Sequence, residues 1–159
     1  SPSSDLLERY GLASLTTAEI VEKLDQSPET RPTKLAGSVR PDQLLLSEGD
    51  EQLALDMPDD QFYLSVAPYL THTHDCFYHN TGSCQGELVN SQVHVTITTA
   101  DGIVIVNRDA TTYANGFIGF WVPTGSSGTI TVSQDGKSGT VPFATGDQDA
   151  TCITTLKLV

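Results

Sequence analysis

The chain has 159 residues, 18% charged and 38% hydrophobic, which suits one compact domain, or a domain with a small appendage, and is neither disordered nor membrane-like. Its 20 acidic and 8 basic side chains give a net charge of −12 and leave no basic patch, so nucleic-acid binding is excluded as a reading. The acidic balance fits a cation-handling protein and equally any soluble exported one. The longest apolar runs, such as Ile103 to Val106, are far too short to span a bilayer. The chain opens on Ser1-Pro2-Ser3-Ser4, without an initiator methionine or an apolar signal segment. That reads as a mature form that has lost an export signal or anchor, with a native cytosolic start as the alternative.

Leu6, Leu7 and Tyr10 repeat with helical spacing, and Gly11 supplies a C-terminal stop. A second helix is predicted from Thr16, where Thr16 and Glu19 form a capping box and Leu15 with Ile20 a hydrophobic staple. Ile20, Val21 and Leu24 continue its apolar stripe, and Pro28 lies beyond its end. Helices this short need a surface to dock on. Ser27 to Pro41 reads as a connector. Leu44-Leu45-Leu46 and Leu53-Ala54-Leu55 flank Ser47 to Glu51 as a hairpin, and Met57-Pro58-Asp59-Asp60 is a break. We therefore divide the chain into residues 1–58, a helical segment with connector and first hairpin whose helices are expected to dock on the β-part or on another subunit, and residues 59–159, a β-rich domain.

The remainder is patterned for strands. Phe62, Leu64 and Val66 alternate with Tyr63, Ser65 and Ala67, and Val93, Val95 and Ile97 with His94, Thr96 and Thr98. Asp101-Gly102 turns the chain into Ile103 to Val106, and Phe117 to Val122 is a further strand with Trp121, Phe117 and Phe120 as core. Thr129 to Ser133 and Ser138 to Phe143 are joined around Asp135-Gly136, and Cys152 to Val159 is a last strand. The fold class is mainly β: an antiparallel sandwich or barrel preceded by two short helices.

Chemistry concentrates between Thr71 and Cys84, which holds three of the four histidines and two of the three cysteines. Nitrogen and sulfur donors packed this closely are the ligand set of zinc or copper. His72, His74 and Cys76 sit two apart, so on an extended strand they would share a face. His79 and Cys84 follow, and a hairpin through Asn80 to Ser83 would fold Cys84 back beside Cys76. The fold is expected to return Cys152 to the same place. The competing reading is a Cys76–Cys84 disulfide stapling the hairpin, which leaves Cys152 and the histidines unexplained. Zinc-finger C-x2-C pairs are absent. His94 reads as a half-exposed strand residue and Asp75 as a solvated carboxylate or a partner that orients a histidine. Asp147-Gln148-Asp149 lacks a calcium loop's glycine and glutamate.

The runs Leu64 to Tyr69, Thr71 to His79 and Ser83-Cys84-Gln85-Gly86-Glu87-Leu88, with seven residues between Cys76 and Cys84 and a third cysteine at position 152, resemble the CueP family of exported copper-binding proteins. The resemblance implies a periplasmic or cell-envelope protein of copper tolerance, while the acidic balance and the Ser/Pro-rich start fit a lipid-anchored one as the alternative. It implies copper storage, delivery to an exported superoxide dismutase, and metal reduction through cysteines with a thiol reductase as partner. Cys76, Cys84 and Cys152 carry over as copper-binding thiols, with His72, His74 and His79 assisting. Dimerisation through the N-terminal part is also implied. Two rival functions stand beside this one: a thiol-dependent reductase acting on Cu(II) or Fe(III), and a disulfide-stapled interaction domain without metal.

Overall fold

The computed structural model describes residues 2–159, with side chains from Asp5 onward. Helix α1 (Pro2–Arg9) ends at Gly11, whose φ of +68° is left-handed backbone that a side chain disfavours. Helix α2 (Thr17–Asp25) starts on the predicted capping box: the Thr16 hydroxyl accepts the Glu19 N–H, and Glu19 accepts the Thr16 N–H. Ten strands follow: β1 (Ala36–Val39), β2 (Gln43–Glu48), β3 (Glu51–Asp56), β4 (Gln61–Val66), β5 (Gln92–Thr99), β6 (Val104–Thr111), β7 (Ile118–Pro123), β8 (Ser127–Gln134), β9 (Lys137–Ala144) and β10 (Cys152–Ile153). The fold is mainly β with antiparallel sheets behind two short helices, as the pattern predicts.

The strands form three sheets, ordered β1-β2-β3, β10-β4-β7 and β6-β5-β8-β9. Phe62, Leu64 and Val66 of β4 face Val93, Val95 and Ile97 of β5 and Ile130 and Val132 of β8 in one core. The alternate residue Tyr63 points the other way. It joins Leu6, Ile20, Val21, Leu44 and Leu46 in a second core between the helices and the first sheet. The period of two in β4 is therefore real, but both of its faces are buried, so it serves as a wall between two cores.

Three local expectations need correction. The connector holds β1, four residues paired with β2 in antiparallel register; Ala36-Gly37-Ser38-Val39 carries too little apolar pattern to stand out. The last strand is only Cys152–Ile153, parallel to β4. Ile153, Leu156 and Leu158 all enter the core, and the odd spacing from 153 to 156 breaks strict alternation. Finally, Thr71 to Cys76 is irregular loop rather than strand. The Leu70 and Thr71 N–H groups donate to the Glu87 carboxylate, not to a neighbouring strand.

Candidate metal centre

The loop from Thr71 to Cys84 is fastened at its second half. His79 N–H donates to the Thr151 hydroxyl, Val39 N–H to the His79 carbonyl and Thr81 N–H to the Gly37 carbonyl. Phe77 accepts the N–H groups of Thr151 and Cys152, which draws the end of the chain under the loop. Asn80 to Cys84 closes as a tight turn, with the Cys84 N–H on the Asn80 carbonyl at 3.1 Å, and not as the hairpin ladder expected from sequence. The outcome for Cys84 is nonetheless proximity: its sulfur lies 3.6 Å from that of Cys76.

All three cysteines are free thiols. Their sulfurs and two imidazoles form two overlapping groups, His74 with Cys76 and Cys84, and His79 with Cys84 and Cys152. Within each, the ligand atoms lie within 4.8 Å of one another. Nε2 of His74 and Nδ1 of His79 are buried and make no hydrogen bond. A buried nitrogen without a partner is costly, and a metal ion is the partner that thiols and imidazoles together are chemically fit to share. Ala67 and Phe117 pack against the cysteines, and the Phe117 ring lies 4.4 Å from the His79 ring and 6.1 Å from the His74 ring. A cleft of about 370 Å³, lined by His72, His74, Cys84 and Glu87 among others, reaches the group from solvent.

His79 is held from behind. Its Nε2–H donates to Asp25 Oδ1 at 2.7 Å, and both side chains are wholly buried. Asp25 also accepts from the Tyr63 hydroxyl at 2.5 Å and from Asn115 Nδ2 at 2.7 Å. With Nε2 engaged, Nδ1 is the atom left to face Cys84. Burial penalises the charge of Asp25, but the attraction of His79 and the hydrogen bonds from His79, Tyr63 and Asn115 hold its carboxyl below the ordinary value. Burial likewise works against the imidazolium of His79, yet the charge of Asp25 and its hydrogen bond lift it to about 9.

Among the thiols, Cys84 is the one favoured as thiolate. The thiols of Cys152 and Cys76 donate to it, and His79 adds to this against the cost of burial, so it lies far below the ordinary thiol value. Cys152 is pushed far up by Cys76, Cys84 and burial. Cys152 works to lower Cys76, but Cys84 and burial outweigh it and push Cys76 up to about 12.

The remaining sequence candidates lie elsewhere. His72 is outside both groups; its side chain is 74% exposed and its Nδ1 lies 2.9 Å from Glu87 Oε2. The Glu87 carboxyl is itself held down to about 2 by the Thr71 hydroxyl and the Leu70 and Thr71 N–H groups. His94 sits on the four-stranded sheet, paired with Asp109 at 2.8 Å and Asn107 at 2.7 Å. Asp75 is exposed, and the carboxylate that orients a histidine is Asp25. Sequence reasoning missed Asp25, Tyr63 and Asn115, which lie 54, 16 and 36 positions from His79. The available signal was an aspartate inside the last turn of α2, where carboxylates oppose the helix dipole.

A β-sandwich that gathers free thiols and two buried ring nitrogens without partners at the end of a cleft defines a binding protein for a soft metal ion. A family profile, described as "Periplasmic copper-binding protein CueP", matches residues 19–157, so the chain belongs to the CueP family. A solved structure described as "Crystal Structure of S.CueP" is 42% identical, with a TM-score of 0.98, covering 100% of this chain and 98% of that one. No curated protein matches. The family is one of periplasmic copper-binding proteins, which implies export; among the described residues no helix is long and apolar enough to cross a membrane.

Proposed function

We propose that the protein binds Cu(I) as cargo through Cys76, Cys84 and Cys152, with His74 and His79 completing the donor set, and so buffers and carries copper in the cell envelope. The observation that carries this is the convergence of three free thiols with two buried ring nitrogens that have no other partner. Thiolates select Cu(I) and also accept Zn(II), which makes zinc the competitor to exclude. His72, at the rim of the cleft beside Glu87, meets the incoming ion before the resident donors do. Hand-over to an exported superoxide dismutase and dimerisation through the N-terminal part belong to the same proposal and rest on the resemblance drawn from the sequence.

The test is an anaerobic titration of the fully reduced protein with Cu(I) and Zn(II) against a competing chelator, beside a thiol count. Tight Cu(I) binding that disappears on oxidation is expected. Cys76→Ser and Cys152→Ser should each weaken it by orders of magnitude; full affinity in all three serine variants would sink the assignment.

A second reading, reduction of the metal, is favoured by the 3.6 Å approach of the Cys76 and Cys84 sulfurs. Closing them to a disulfide of about 2.05 Å requires only a small movement. Two thiolates joined as one disulfide release two electrons, which convert two Cu(II) to two Cu(I). Turnover then needs a thiol reductase to restore the dithiol. A coupled assay should yield more reduced copper than protein; a yield capped at one round would reduce this reading to a single oxidation event.

A further inference from the structure

The two donor groups overlap in one residue. His74 and Cys76 stand on one side, His79 and Cys152 on the other, and Cys84 belongs to both. Its sulfur accepts the Asn80 N–H at 3.4 Å and touches the Cys76 sulfur at 3.6 Å, so it lies in the middle of the cluster. Each group also contains its own buried, unpaired ring nitrogen. One ion held by either group leaves the nitrogen of the other unsatisfied, and one ion held by the three sulfurs alone leaves both so. A thiolate has lone pairs enough to join two soft cations.

We propose that the site holds two Cu(I) ions per chain, one on His74 and Cys76, the other on His79 and Cys152, bridged by the Cys84 thiolate. This rests on the copper-binding reading above and adds its stoichiometry and its bridge. Each ion then has one nitrogen and two sulfur donors, and both orphaned nitrogens are used. Three thiolates and two monovalent cations leave a single negative charge, and the protons displaced from the thiols and from His79 pass to solvent. The cleft is lined by His74 and Cys84 but not by His79 or Cys152, so the first group is the outer station and the second the inner one. Phe117 lies against both imidazoles as a shared apolar wall.

The experiment loads the reduced full chain with Cu(I) anaerobically, counts ions per chain by native mass spectrometry, and looks for a copper–copper path by X-ray absorption. The wild type should hold two ions and show the path. His74→Ala, a change on a partly exposed loop, should hold one and lose the path with unchanged circular dichroism. Cys76→Ser and Cys152→Ser should each lose one ion and hold the other with affinity lowered by orders of magnitude, whereas Cys84→Ser should hold none tightly. A wild type that saturates at one ion overturns the paired site and leaves the copper reading intact. A wild type that binds none overturns both. Two ions retained in His74→Ala, or in Cys84→Ser, overturn the assignment of donors and bridge.

Discussion

At the scale of single residues, the decisive partner of the site is Asp25, wholly buried at the end of α2 and bonded to His79, Tyr63 and Asn115. Partners that orient a metal-binding histidine typically change affinity by about 10- to 100-fold. Asp25→Asn should therefore weaken Cu(I) binding by that order, read by chelator competition, and should lower the pH at which His79 loses its proton, followed by nitrogen NMR of the metal-free protein. The pair also sets a pH window. Asp25 has its carboxyl depressed below 3.8, so its contribution to stability is present above that value and is lost as pH falls through the lower folded one. His79 is raised from 6.5 to about 9, so its contribution is full below 6.5 and is lost as pH rises through about 9. The melting temperature of the reduced, metal-free protein should therefore form a plateau between about pH 4 and 6.5 and fall on both sides. A melting temperature still rising between pH 7 and 9 would contradict the ion pair.

At the scale of elements, α2 depends on its first turn. Thr16→Ala removes a capping acceptor and should cost about 1 kcal/mol in denaturant unfolding, with copper affinity unchanged because Asp25 sits at the other end. Gly116 presents the opposite case. Its φ is +78°, and an added Cβ would lie 2.3 Å from the Gly86 carbonyl oxygen. Gly116→Ala should displace the neighbouring Asn115 and lower both stability and copper affinity, which a combined melt and titration would show. The capping box, the β2–β3 turn and the β8–β9 turn were legible in the sequence because each is written by adjacent residues. Strand β1 was not, since its pairing with β2 and not its own composition makes it a strand. The alternation of His72, His74 and Cys76 reads the same in an extended loop as in a strand, so period two alone could not separate them. The donor types and their crowding were legible. Their division into two groups, and the departure of His72 to Glu87, depend on how the loop is tied to Thr151 and Val39.

At the scale of the whole molecule, the two cores share β4. Backbone hydrogen bonds between Val39 and His79 and between Gly37 and Thr81 join the residues before and after position 59, and a fragment starting there would bare Tyr63 and Trp121 and strip His79 of Asp25. Such a fragment should be less soluble and bind copper more weakly than the full chain, measured side by side. The proposed dimer is checked by light scattering of the full chain against one lacking α1; an unchanged mass would remove α1 from the interface.

The shared wall also wires the site to a natural optical probe. Trp121, the only tryptophan, donates from Nε1 to Glu22 of α2 at 2.8 Å, and its ring lies 4.8 Å from that of Tyr63. Tyr63 in turn bonds Asp25, and Asp25 bonds His79. Copper bound at His79, as proposed above, would displace the Nδ1 proton and fix the ring at the end of this chain. The intrinsic emission of the unlabelled protein should therefore shift on copper loading, a response that Tyr63→Phe should weaken while leaving the tryptophan in place.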